Sequence, residues 1–174
     1  MRDTQITPHA RAALPAAATA SIGHVHLRVA DLDRAIAFYS DILGLDVMQR
    51  LDSGAAFLSM GGYHHHVGLN TWESLGASPP PKGHTGLYHT AFLYPSRAEL
   101  ARIVARVVDA GIQIIGKADH GVSEAVYLND PDRNGVELYR DRPESGWPRD
   151  AEGRLSMVNA PLDVEALVAE GRAL

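Results

Sequence analysis

Nine histidines and not one cysteine set the chemistry open to this 174-residue chain. Without thiols there are no disulfides, thiolate nucleophiles, zinc-thiolate or iron–sulfur sites, so any metal has to be held by nitrogen and oxygen. The histidines fall where strands present polar faces. In IGHVHLRV, residues 22–29, Val25, Leu27 and Val29 share one face and His24, His26 and Arg28 the other, so the polar side of a half-buried strand can carry a ligand. GLYHTAF carries His89 on a strand apolar on both faces, ADHGVSEAVY and AVYLND supply His120 and Tyr127, and NGVEL sets Glu137 opposite Val136 and Leu138. In the run His64, His65, His66, a strand conformation turns the middle ring away from the other two. Val67 and Leu69 then face a helix, and His64, His66 and Gly68 the opposite side. An imidazole there is suited to taking and returning a proton near neutral pH.

Each of these residues also has an ordinary role. A lone strand histidine is most often a satisfied polar group, Tyr127 would serve as a cross-strand aromatic, and Glu137 as a solvated strand end. What lifts His24 and His89 out of that background is a repeat that sets them at matching positions.

The first copy opens with the strand of His24. Asp31 can cap a helix whose apolar residues Leu32, Ala35, Ile36, Tyr39 and Leu43 keep helical spacing, and Gly44 can end it. A strand from Leu45 follows, then AAFLSM and YHHHVGLN as a hairpin about Gly61 and Gly62. After a loop with Pro79, Pro80 and Pro81 the order recurs: GLYHTAFLY as strand, Ser96 and Glu99 as a capping box, a helix burying Leu100, Ile103, Val104 and Val107, and Gly111 as its stop. AVYLN and VELYR then pair through the turn DPDRNG. This order predicts a tail over residues 1–20, a module over 21–72, a linker over 73–85, a second module over 86–142 and an extension over 143–174. In that extension, Pro161 suits the first turn of a short helix.

Composition narrows the partners. A net charge of −5 with no basic cluster gives nucleic acid or an anionic membrane nothing to hold. The first twenty residues, interrupted by Pro8, Arg11 and Pro15, lack the core of a signal peptide, and no apolar run reaches the roughly 20 residues of a membrane helix. A cytoplasmic location is expected, and the extension is expected to pack on the surface or on a partner chain in a homodimer or higher homo-oligomer.

With GHVHLRVADLDRAIAFYSDILGL, GLYHTAF and DPDRNGVELYRDRP in view, the chain resembles the vicinal oxygen chelate superfamily. That superfamily includes glyoxalase I, bleomycin- and fosfomycin-resistance proteins, and type I extradiol ring-cleaving dioxygenases. GGYHHHVGLNTW, DHGVSEAVYL and DPDRNGVELY read like the active-site strands of its catechol 2,3-dioxygenase branch. The resemblance implies an α+β fold of two β–α–β–β–β modules, forming a cupped mixed sheet around a metal site with the helices outside. Many extradiol dioxygenases carry two such domains; one is expected here.

Carried over residue by residue, the resemblance implies His24, His89 and Glu137 as metal ligands. His26 shares a face with His24, and the family's preceding glycine selects His24. The direction of His89 rests on the resemblance. His66 matches the acid–base histidine of extradiol enzymes, a position where glyoxalase I has a fourth ligand; His120 and Tyr127 match a hydrogen-bonding histidine and tyrosine. Two imidazoles and a carboxylate on one side of an ion leave the other side open, as in non-haem Fe(II) oxygenases. The implied activity is an Fe(II)-dependent extradiol dioxygenase acting on a catechol-type aromatic with dioxygen, Mn(II) or another divalent metal being the alternative cofactor. Two other functions of the same fold are a glyoxalase-like isomerase or lyase and a drug-binding resistance protein.

Overall fold

The structure, a computed structural model, describes residues 20–174. All but the last residue of the expected tail lies outside the described residues. The first module opens with β1 (Val25–Arg28), in which Leu27 is buried and His26 and Arg28 are exposed, the alternation that the sequence predicts. Asp31 caps α1 (Leu32–Ile36) by accepting from the Arg34 N–H at 3.0 Å.

The expected regular helix is not maintained beyond Ile36. It widens into a π-helical stretch over Ala37–Ile42, where the Leu43 N–H reaches back five residues to Phe38 O at 3.1 Å. Both Phe38 and Tyr39 thereby enter the core, while Ile36 stays half-buried. Gly44 then ends the helix with φ +82°.

Strands β2 (Asp46–Leu51), β3 (Ala55–Ser59) and β4 (Val67–Asn70) complete a sheet of order β1-β4-β3-β2, with β1 and β4 parallel. β4 is shorter than expected. Residues 63–66 are not strand, because Gly61 and Gly62 turn the chain at positive φ and His66 folds back on the end of β3.

The second module repeats the plan. β5 (Thr90–Leu93), α2 (Arg97–Asp109), β6 (Gly116–Asp119), β7 (Ser123–Asn129) and β8 (Gly135–Asp141) give a sheet of order β5-β8-β7-β6, again with its outer pair parallel. Ser96 caps α2 through the Glu99 N–H at 3.2 Å, but the Glu99 carboxylate pairs with Arg102 at 2.6 Å, so only half of the expected capping box forms. All four predicted apolar residues of α2 are buried. In the β7–β8 turn, Asp130 accepts from the Asp132 and Asn134 N–H groups, each at 2.8 Å.

The α+β, two-module architecture is thus present as two four-stranded mixed sheets, and among the described residues no strand of one pairs with a strand of the other. A single apolar core serves both. Leu27, Leu58 and Leu69 of the first sheet, Phe92, Val126 and Leu138 of the second, and the buried sides of the helices belong to one cluster. Tyr39 bridges the modules: its ring lies 6.4 Å from that of Phe92, and its hydroxyl donates to the buried Asp130 at 3.1 Å.

The extension packs on the second module. α3 (Val164–Arg172) lies against α2, and residue 160 bridges to Asp119 on β6. Pro161 is not in the first helical turn as expected. Asp163 caps the helix, accepting from the Ala166 N–H at 3.0 Å, because its carboxylate satisfies a free N–H that a proline ring cannot.

Candidate metal centre

On the face of the second sheet turned away from the core, four predicted residues form one chain of contacts. His89 Nε2 lies 2.9 Å from Glu137 Oε2, the Tyr127 hydroxyl donates to Glu137 Oε1 at 3.1 Å, and His120 Nε2 lies 2.9 Å from the Tyr127 hydroxyl. Register explains the meeting: Ala91 and Tyr127 are the neighbours of Glu137 on either side in the sheet, and His89 stands two residues before Ala91, hence on the same face.

Gly135 makes room for His89. A Cβ at that position would sit 2.1 Å from Tyr88 O and 3.1 Å from His89 Cβ, so only glycine lets the chain before β5 lie so close to β8. The sequence reading treated Gly135 as turn chemistry alone and missed this packing role.

Proton counting shows what the chain can do. His120 Nδ1 lies 3.1 Å from Val158 O, an acceptor only, so that nitrogen carries a hydrogen. The single Tyr127 proton then has two possible takers, Glu137 and the second nitrogen of His120. Burial first, and Glu137 beside it second, push the Tyr127 hydroxyl up to about 12, so it stays protonated at neutral pH and acts as a donor. His89 Nδ1 is buried with no hydrogen-bond partner, leaving Glu137 as the acceptor for a ring proton carried on Nε2.

The same pair fits a cation. Two ligand atoms, each about 2.1 Å from one ion and at right angles, stand about 3.0 Å apart. The 2.9 Å between His89 Nε2 and Glu137 Oε2 is that spacing. A cleft of ≈ 390 Å³ opens beside them, lined by Tyr88, His89, Ile115, Gly116 and Tyr127 among others.

The first sheet carries the other histidines on its face away from the core. His24 precedes β1, and the parallel pairing of Val25 with Val67 sets it level with His66. His66 Nδ1 lies 3.2 Å from both the Met60 N–H, from which it accepts, and Ser59 Oγ. The proton of a neutral His66 ring is therefore on Nε2.

His65 corrects the strand reading. Its ring does not turn away: it lies 4.3 Å from that of His24 and 5.0 Å from that of Phe57, and its Nδ1 is 2.7 Å from His64 Nδ1. With residues 63–66 outside β4, the alternation that would have sent it to the other face does not apply. His26 lies across Gly68, where a Cβ would come within 2.9 Å of the ring, and packs 5.6 Å from Trp72. Burial first and the neighbouring His24 second lower the His26 pKa; His65 is lowered by the same two causes and by His64, His26 and His66.

His24 does not join His89 and Glu137 within the chain. Among the described residues, no three histidine or acidic side chains are placed to hold one metal. The donor chemistry of His89 and Glu137 fits a divalent cation, and His24, the third ligand the sequence leads one to expect, stands on the other sheet.

Residues 21–138 match the model of the Glyoxalase/Bleomycin resistance protein/Dioxygenase superfamily, and the chain belongs to that superfamily. It is 42% identical over 150 residues to a catechol-2,3-dioxygenase of Bacillus subtilis (strain 168), a match covering 86% of this chain and 51% of that protein. It is 32% identical over 123 residues to biphenyl-2,3-diol 1,2-dioxygenase 3 of Rhodococcus globerulus, covering 71% of this chain and 64% of the relative. The chain thus spans about half the length of the first relative and under two thirds of the second. Among solved structures, the lactoylglutathione lyase of Agrobacterium tumefaciens is similar at 29% identity and a TM-score of 0.56, covering 69% of this chain and 92% of that one. No helix among the described residues is long and apolar enough to cross a membrane.

Proposed function

We propose that this protein is a metal-dependent extradiol dioxygenase that opens a catechol-type aromatic ring. The observation that carries the reading is the contact chain His89–Glu137–Tyr127–His120, in a sequence 42% identical over 150 residues to a catechol-2,3-dioxygenase. His24, His89 and Glu137 would hold a divalent cation, Fe(II) in preference to Mn(II), which would supply Lewis acidity toward a catechol and a means of activating dioxygen.

The protein's own residues handle protons and orientation. Tyr127, protonated at neutral pH, donates to a substrate oxygen and fixes the ring's angle in the cleft. His120, hydrogen-bonded to Tyr127 through Nε2, keeps that hydroxyl in place. His66, its Nδ1 engaged by the backbone of Met60, presents Nε2 for proton exchange with the substrate hydroxyl. The apolar wall of Ile115 and Tyr88 favours an aromatic ring over a small polar substrate.

The test is oxygen uptake by iron-loaded protein on a panel of catechols that includes bulky two-ring members. One dioxygen consumed per ring, with a ring-opened semialdehyde absorbing in the near-ultraviolet or visible, is the expected result. No uptake with any of them, together with isomerisation of a glutathione hemithioacetal, would replace this reading with a lyase-type one.

A further inference from the structure

We infer that the aromatic ring taken by the cleft beside His89 carries a carboxylate, and that Arg133 is the residue that selects it. The inference deepens the catechol reading and rests on it. Among the described residues every other arginine is engaged by a carboxylate or, for Arg106, by the Asp41 carbonyl. Arg133 has neither, and it lines the cleft.

The acids nearest to it in the chain are occupied elsewhere. Asp130 accepts from the Asp132 and Asn134 N–H groups, from the Asn134 side-chain amide at 2.8 Å and from the Tyr39 hydroxyl at 3.1 Å. Asp132 is held by Arg34 at 2.6 Å and by the Ala30 N–H at 3.1 Å. Both carboxylates are buried, so turning either outward to Arg133 would break the bonds that tie the two modules together. Glu137 already divides its oxygens between His89 and Tyr127. The turn therefore presents an uncompensated cation on a chain whose net charge is −5.

The backbone of Arg133 is strained. Its φ is +65°, the one positive value outside glycine among the described residues, and its N–H donates to Asp130 O at 3.0 Å. A long side chain is uncommon in that conformation, which glycine and asparagine adopt more readily. Local structure does not call for arginine at this position, and strain of this kind gathers where ligands are held.

The cleft sets Arg133 at one end of a space that suits a ring. β8 opens at Gly135, so the turn lies just before the strand that carries Glu137, and Glu137 faces Tyr127 across the sheet. Between these residues and the turn the wall includes Ile115 and Tyr88, 55% and 89% exposed. A ring held by its oxygens beside His89 and Tyr127, and lying against that wall, sends a substituent toward the turn. At ≈ 390 Å³ the cleft is of small-ligand size. Lys117 does not compete, because it pairs with Val126, a core residue, and so stands on the face of β6 away from Tyr127. The planar fork of a guanidinium matches a carboxylate through two parallel N–H···O bonds.

The experiment compares two probes of similar size, 3,4-dihydroxybenzoate and 4-methylcatechol, on anaerobic Fe(II)-loaded protein, with dissociation constants read by calorimetry and without turnover. Wild type should bind the carboxylated probe about five- to tenfold more tightly, as expected of a charge-assisted pair at a partly open site. Arg133→Asn, suited to positive φ, should bring the ratio to about one while melting no lower than wild type. Arg133→Lys keeps the charge but loses the fork, and should keep only part of the ratio. A wild-type ratio of about one overturns the inference, as does a full ratio in Arg133→Asn. Loss of the ratio together with a clear drop in melting temperature assigns Arg133 to the fold and overturns it too.

Oxygen uptake separates this inference from the reading beneath it. Wild type that opens 4-methylcatechol and shows no preference for the carboxylate refutes only the role of Arg133. Wild type that binds the carboxylated probe through Arg133 yet consumes no oxygen refutes the dioxygenase reading and leaves the anion site standing. Protein that binds neither probe refutes both.

Discussion

The outward faces of the two sheets descend from one repeat and have become different surfaces. On the second, Glu137 is a hub whose two oxygens engage His89 and Tyr127, and Tyr127 passes the connection to His120. On the first, His24, His65, Phe57, His26 and Trp72 meet mainly through their rings, and among the described residues no carboxylate hydrogen-bonds to these histidines. A carboxylate fixes its partners by direction, whereas rings pack by shape. Burial first, and the neighbouring imidazoles after it, hold the pKa values of His26 and His65 down, which favours the neutral form of those two rings. The second face offers the negative charge that a divalent cation needs. Among the described residues, neither face gathers three histidine or acidic side chains placed to hold one metal.

The sharpest way to break this comparison is to remove the hub. Glu137→Ala should lower metal occupancy at least about tenfold, as should His24→Ala and His89→Ala, while His26→Ala on the same face as His24 should keep it. Elemental analysis of anaerobically prepared protein decides, and full retention by two of the three ligand variants sinks the assignment. His66→Gln separates proton transfer from ligation on the first face. Metal content should hold while turnover falls by about 10²–10⁴-fold; loss of metal with activity would make His66 a fourth ligand.

On the second face, Tyr127→Phe removes one hydrogen-bond donor and leaves the ring. Turnover should drop about tenfold with the metal in place, and an unchanged kcat would show that the hydroxyl does not reach the reaction.

The smallest effect on activity is expected from a carboxylate that serves the fold. Glu124 is buried and contacts Arg97 at 2.6 Å, Arg140 at 2.8 Å and Arg142 at 3.0 Å. Burial alone would raise its pKa, but the hydrogen bond and charge of Arg140, joined by Arg97, outweigh it and leave it lowered. A carboxylate held below its unfolded value stabilises the fold above that value and loses the contribution as pH falls through the folded one. Thermal stability should therefore decline as pH drops below about 4.3. Glu124→Gln should cost about 2 kcal/mol at neutral pH, a figure discounted because the arginines are partly exposed, and should flatten that acid decline. An equally steep decline in the variant would move the acid sensitivity elsewhere, with Asp119 beside Arg142 next in line.

The repeat was legible because its signals are local. Alternation put His24 opposite Leu27 and Glu137 opposite Leu138, Asp31 and Ser96 capped their helices, and Gly44 and Gly111 stopped them. The grouping of His89, Glu137, Tyr127 and His120 followed from register along paired strands. The direction of His65 was not legible, because it depends on where β4 begins, and that is decided by His66 folding back on Met60. Nor was the service of Gly135 to His89, since a close approach between residues far apart in sequence leaves no periodic trace.

By itself the amino-acid sequence determined the superfamily, the two modules and, for His24 and Glu137, the side of the strand on which each stands. These follow from period-two and period-3.6 patterning and from motifs a few residues long. Only the tertiary structure decided how the modules face each other. Tyr39 against Phe92 and Asp130 turns both apolar faces inward and both chemical faces outward. Patterning states which face of a sheet is apolar but not what will cover it, and that choice separates His24 from Glu137 within the chain.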